Sequence, residues 1–260
     1  MTTSTRITKG NAAEHQRKDS QEIYFYGTCL IDLFLPQAGI DAVRLLEREG
    51  LKVLYPQAQT CCGQPAFNSG YRREALAVAR SQLALFQKPI PLVIPSGSCA
   101  AMFRKDYPDL FRHEPEYEAA LDLASRVYEL AEFMVDVLQV QLCDQGAEEA
   151  VILHSSCSLR RSLSAHDQTL ALLGQLNKVH LQEPDRASDC CGFGGTFAVK
   201  QPALSAALTR DKCANIEASG CKRLVGGDQG CLMNIDGMLQ RQNSDIESQH
   251  IATFIWQRTS

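Results

Sequence analysis

Eight of the eleven cysteines in this 260-residue chain fall into two matching sets. The first half carries Tyr26-Gly27-Thr28-Cys29, Cys61-Cys62-Gly63 and Ser96-Gly97-Ser98-Cys99. The second carries His154-Ser155-Ser156-Cys157, Cys190-Cys191-Gly192 and Asp228-Gln229-Gly230-Cys231. Corresponding cysteines lie 128, 129 and 132 residues apart, and such self-similarity marks an internal duplication. Each half thus offers four sulfurs, the number that closes a cysteine-ligated iron–sulfur cluster or a structural zinc site. The spacing favours iron–sulfur. Structural zinc sites use paired C-x-x-C knuckles, whereas these ligands come as a single residue, an adjacent pair and a single residue. The intervals are 31 and 36 residues in the first half and 32 and 39 in the second. A disulfide between adjacent cysteines would distort the peptide, which argues against a simple bridge. In an extended chain adjacent side chains point to opposite faces, so both members of a pair meet one centre only where the backbone turns. Gly63 and Gly192 are the permissive residues for that turn. The expected ligands are Cys29, Cys61, Cys62 and Cys99 for one centre and Cys157, Cys190, Cys191 and Cys231 for the other. Zinc is the alternative metal, and with it a colourless assembly module; a thiol–disulfide device on the vicinal pairs is a third reading.

Short apolar runs alternating with amphipathic stretches predict β-α-β units around a mainly parallel sheet. Strands are expected at 22–26, 52–55 and 91–95, and again at 150–153, 178–181 and 222–226. Helices are expected at 37–49, 68–87, 158–175, 196–218, 231–242 and 251–256. One long helix is expected through 120–138, where Ala120, Leu121, Ala124, Val127, Tyr128, Ala131, Met134, Val135 and Leu138 recur at three and four residues. The fold class is therefore α/β, internally duplicated, with two similar lobes of parallel sheet flanked by helices. Residues 1–21 form a polar, flexible leader, 22–145 the first lobe and 146–260 the second, joined by a polar linker at 141–149 that contains Gly146. This order sets every repeated cysteine just past a strand end and just before a helix, the edge where open α/β sheets collect ligands. Helix N-termini there favour thiolate.

Composition narrows the function. With 26 basic and 30 acidic residues the net charge is −4, which gives no footprint for nucleic acid. No run approaches the ~18 apolar residues of a membrane helix. The opening Met-Thr-Thr-Ser-Thr-Arg has no apolar signal core, so a cytoplasmic protein is expected, in whose reducing surroundings many thiols point to metal or redox chemistry. Three further cysteines, Cys143, Cys213 and Cys221, have no counterpart in the repeat and read as buried or incidental thiols. His154, Arg160 and Arg161 around Cys157, and Asp228 before Cys231, are the weaker candidates for facing an anionic substrate. Their competing roles are supporting hydrogen bonds and helix capping.

The two copies of C-x(31–32)-C-C-G-x(35–38)-C resemble the cysteine-rich CCG domain family, found in heterodisulfide reductase and in the iron–sulfur subunit of glycolate oxidase. Cys61-Cys62-Gly63-Gln64-Pro65-Ala66-Phe67-Asn68-Ser69-Gly70, Pro95-Ser96-Gly97-Ser98-Cys99-Ala100-Ala101-Met102 and Cys190-Cys191-Gly192-Phe193-Gly194-Gly195-Thr196-Phe197 are similar to its lactate-utilization subgroup. The likeness covers residues 22–258. It implies one or two iron–sulfur clusters and electron transfer in a three-protein complex that oxidises L-lactate to pyruvate, or in a related glycolate oxidase. The implied partners are a ferredoxin-like iron–sulfur protein and a third subunit, with any membrane association peripheral and through them. The broader motif ends in C-x-x-C, but here Met102 and Asn234 hold the last position. Four thiolates per half then favour a [4Fe–4S] cubane over the family's five-cysteine non-cubane clusters. No G-x-G-x-x-G opens a helix, so hydride removal needs a partner's flavin or nicotinamide.

Overall fold

The computed structural model describes residues 21–260; residues 1–20, which hold nearly all of the expected leader, lie outside the described residues. The first half runs β1 (Glu22–Phe25), α1 (Cys29–Phe34), α2 (Pro36–Arg48), β2 (Lys52–Leu54), α3 (Gln64–Asn68), α4 (Arg72–Leu83), β3 (Leu92–Ile94) and α5 (Gly97–Ala101). A π-helical turn, Met102–Asp106, leads into α6 (Tyr107–Leu110), followed by α7 (Tyr117–Ser125), β4 (Val127–Glu129) and α8 (Leu130–Glu132), which continues as a second π-turn, Phe133–Val137. The second half runs β5 (Glu149–His154), a π-helical segment Ser158–Leu163, α9 (His166–Leu173), β6 (Val179–Gln182), α10 (Phe197–Lys200) and α11 (Pro202–Glu217). It closes with β7 (Arg223–Gly226), α12 (Gln229–Arg241), β8 (Glu247–His250) and α13 (Ile251–Thr259).

The strands form two four-stranded parallel sheets with the same order, β2-β1-β3-β4 and β6-β5-β7-β8. The duplication is thus carried in topology as well as in cysteines. The central strands are apolar through their middles, Ile23–Phe25, Leu92–Ile94, Val151–Leu153 and Leu224–Val225, as sheets covered on both faces require. Their two-residue period divides those faces. Tyr24, Tyr26, Leu92 and Ile94 pack with Phe86, Phe103 and Tyr107 in a core belonging mainly to the first half. Ile23, Phe25 and Val93 instead join Val151, Leu153 and Val225 of the second sheet in one core completed by α2 and α13. The connector between the halves has no helix or strand at 139–148 but is pinned: Asp144 accepts from Arg258 Nε at 3.0 Å and from the Lys178 N–H at 2.9 Å.

Four expected helices are interrupted, and one strand was not foreseen. The long helix of 120–138 is broken, because Val127–Glu129 turns extended and pairs in register with Leu92–Ile94 as the sheet's edge strand. Three residues, two of them apolar, satisfy helical and strand spacing alike, so periodicity could not expose them. β8 escapes the sequence pattern for the opposite reason: its Glu-Ser-Gln-His carries no hydrophobic period, and its extended form comes from pairing with β7. The helices expected at 68–87, 158–175 and 196–218 are each interrupted, two of them at residues with left-handed backbone, Gly70 (φ +81°) and Ser164 (φ +55°).

Glu129 ends β4 and caps α8, its carboxylate accepting from the Ala131 N–H at 2.7 Å while fully buried. Burial pushes its pKa up to about 8, against 4.5 for a free carboxyl. The folded chain therefore keeps a proton that the unfolded chain releases between these values. Folding stability falls as pH rises through that window and levels off above it. Glu129→Gln removes the effect. Denaturant midpoints measured from pH 5 to 9 should show the variant gaining on the parent as pH rises; parallel profiles would refute the assignment.

Candidate metal centres

Both switch points in strand order, β1/β3 and β5/β7, open at the carboxyl edge of their sheets, and β2 and β6 lie next to β1 and β5. Adjacent parallel strands sit ~4.8 Å apart, so the loops after β1, β2 and β3 converge although their cysteines are far apart in sequence. Cys29 starts α1, whose N-cap Thr28 takes a positive φ of +53° and accepts from the Ile31 N–H at 3.4 Å. The loop holding the vicinal pair is tied from three sides. Tyr26 donates its hydroxyl to Thr60 O at 2.5 Å, the Thr60 N–H donates to Gln82 Oε1 at 3.1 Å, and Tyr107 donates to Cys62 O at 3.0 Å. Gly63 turns the chain at φ +88°, sending its N–H back to Cys61 Sγ at 3.4 Å while Cys62 Sγ lies 3.6 Å from Cys99 Sγ. The second half repeats this: Gly192 at φ +84°, its N–H on Cys190 Sγ at 3.3 Å, and Cys191 Sγ 2.9 Å from Cys231 Sγ. Asn234, standing where the fuller motif has a fifth cysteine, donates to Cys191 O at 2.8 Å and to Thr209 Oγ1 at 2.7 Å.

Electrostatics show what each quartet needs. The Cys29 thiol donates to Cys61, and with Cys62 and the Gly63 N–H it draws the Cys61 pKa down to about 3. Cys190 falls to about 2, first through Cys157 and then Cys191. Their neighbours Cys29, Cys62, Cys157 and Cys191 move the other way, because a second negative charge beside the first is costly. One thiolate in each quartet thus makes a second beside it costly. Ionising the whole quartet takes a soft cation among them, so the donor set fits a soft metal ion or an iron–sulfur cluster.

All eight cysteines border a single cleft of about 210 Å³. Between the quartets stands Asp228, 4 % exposed, with both oxygens taken. Oδ1 accepts from Ser96 Oγ at 2.9 Å and Ser98 Oγ at 2.5 Å, and Oδ2 from the Ser98 N–H at 3.0 Å and Ser156 Oγ at 2.6 Å. It joins the third loop of each half to the first loop of the second. The expected substrate role for Asp228 has no free oxygen to serve it. Arg160 pairs with Glu183 and Arg161 donates to Ser188 O at 3.0 Å; neither borders the cleft. His154 is buried behind the second quartet. Cys143 is exposed, Cys213 and Cys221 are buried, and none of the three reaches the cleft. Sequence reasoning missed the serine ring around Asp228. A signal existed, since Ser96 and Asp228 share the 132-residue offset of Cys99 and Cys231.

A family model for the cysteine-rich CCG domain matches twice, at residues 23–104 and 151–236. The chain belongs to the CCG cysteine-rich domain family. It is 40% identical over 232 residues to lactate utilization protein A 2 of Bacillus cereus (strain AH820), covering 89% of this chain and 96% of that one. It is 43% identical over 231 residues to lactate utilization protein A of Shouchella clausii (strain KSM-K16), covering 88% and 96%. Among solved structures, a hypothetical protein from Helicobacter pylori shares the fold at TM-score 0.60 and 14% identity; the match covers 92% of this chain and spans about half of that one, 49%. No helix among the described residues is long and apolar enough to cross a membrane.

The two CCG turns differ in clearance, which sets a test. A Cβ at Gly192 would come within 2.6 Å of both Ser205 O and Thr209 Oγ1, whereas at Gly63 the nearest atom is Ala75 O at 3.3 Å. Both alanine variants incur ~1–2 kcal/mol of left-handed strain. Gly192→Ala should also lose metal from its own quartet, while Gly63→Ala largely retains it, as read by metal analysis. Asp228→Ala strands three hydroxyls and should cost about 3 kcal/mol or more in thermal or denaturant unfolding. It should weaken metal retention in both halves; loss from the second half alone would show that Asp228 does not bridge them.

Proposed function

We propose that this chain is the iron–sulfur electron-transfer subunit of a complex oxidising L-lactate to pyruvate, and that it holds a [4Fe–4S] cluster on each quartet. The observation that carries the reading is the convergence of two four-cysteine sets on one cleft. The naming of its 40–43% identical relatives as lactate utilization proteins A supplies the pathway. Cys29, Cys61, Cys62 and Cys99 would hold one cluster, and Cys157, Cys190, Cys191 and Cys231 the other. Bound clusters supply one-electron storage and transfer.

The chain's own residues prepare the sites. The Gly63 and Gly192 N–H groups stabilise the outer sulfur of each vicinal pair, and Asp228 fixes the separation of the quartets. Among the described residues, none of those lining the cleft is an arginine, lysine or histidine. A hydroxy-acid carboxylate therefore finds no cationic partner there beside the Asp228 carboxylate. This supports an electron carrier that leaves hydride removal to a partner. We propose as those partners a ferredoxin-like iron–sulfur protein and a third subunit.

Anaerobic purification followed by iron and sulfide analysis should give a brown protein with about four of each per loaded quartet. Cys99→Ser should abolish the signal of the first half and Cys190→Ser that of the second, each sparing the other. Colourless protein holding zinc would overturn the redox reading in favour of a zinc-stapled module.

A further inference from the structure

The duplicated halves are unlike at one equivalent position. Residue 26 precedes Cys29 by three, as residue 154 precedes Cys157. Tyr26 is buried, yet its hydroxyl is satisfied by Thr60 O at 2.5 Å. His154 is 2 % exposed at the end of β5, and both of its ring nitrogens are buried without a hydrogen-bond partner among the described residues. A buried polar group left unpaired costs ~1–3 kcal/mol, which a leucine or phenylalanine here would avoid. Only an outside partner makes sense of an imidazole. The direction in which it finds one is visible: one of its nitrogens and the sulfurs of Cys191 and Cys231 all lie within 4.8 Å of one another, and no other such group of three or more occurs among the described residues.

We infer that His154 is a ligand of the second metal centre, giving that centre a mixed sulfur–nitrogen shell while the first keeps sulfur alone. The inference rests on the cluster reading above. Cys191, Cys231 and His154 form the buried inner side of the centre; Cys190 and the exposed Cys157 form its outer side. Lys212, buried with its ammonium donating to Ala187 O at 2.8 Å, supports the arrangement. In the other half Gln82 occupies the equivalent place on α4, 130 residues earlier, and is spent on Thr60.

The test uses the full chain purified without oxygen, with histidine nitrogens labelled with nitrogen-15, and pulsed electron paramagnetic resonance of the reduced protein. Expected is one strong histidine-nitrogen hyperfine coupling on one of two signals, lost in His154→Leu with the other signal unchanged. His154→Tyr copies the residue of the first half and guards against misfolding; with iron retained in both halves it should lose the coupling as His154→Leu does. Full iron and sulfide with no strong histidine coupling, or a coupling that survives both substitutions, would sink this inference alone. Absence of iron from the unaltered protein would sink the cluster reading together with it.

Discussion

Four sulfur atoms packed within reach of one another cannot all carry charge unless a cation sits among them. That constraint organises this molecule. One thiolate per quartet is stabilised chiefly by neighbouring thiols and also by the glycine N–H of the CCG turn, and Cys29, Cys62, Cys157 and Cys191 beside it hold their protons because they donate to it and like charges repel. The quartets are thus high-energy arrangements of donors that the sheets hold ready, in the sense that nothing else on the cleft would neutralise them.

Holding them demands rigidity from loops, which are ordinarily the mobile parts of a fold. The chain meets the demand by tying the cysteine loops to buried anchors. Tyr26, Gln82 and Tyr107 beneath the first pair, and Ser205, Thr209 and Asn234 beneath the second, bond to the backbone around the cysteines. Asp228 then joins the two halves at the point where their loops meet. Duplication gave two similar frames, and polar substitutions inside the frames have made them different. Tyrosine against histidine, glutamine against lysine and serine against aspartate all occur at equivalent positions around the sulfurs, where a change of charge or donor alters a bound metal most.

The sequence revealed its duplication, its α/β class and its eight sulfur donors because those features are local: a residue type at a spacing, or an apolar run of given period. Most strand and helix positions followed for the same reason. β4 and β8 did not, since Val127–Glu129 and Glu247–His250 are strands only through the neighbours they pair with. The weaker site candidates show the same boundary. Arg160 and Asp228 are both three residues from a repeated cysteine, yet Arg160 is turned away onto Glu183 and Asp228 faces inward among serines.

What the amino-acid order determined alone was therefore the inventory: which donors exist, in two copies, at the ends of which elements. Only tertiary structure decided that both quartets face one cleft, that an aspartate stands between them, and that one histidine is buried beside two of the sulfurs with both ring nitrogens unpaired among the described residues. The physical reason is that parallel strands neighbouring in a sheet lie tens of residues apart along the chain. Proximity there is set by strand order and by the packing of two sheets on a common core, neither of which any single segment encodes.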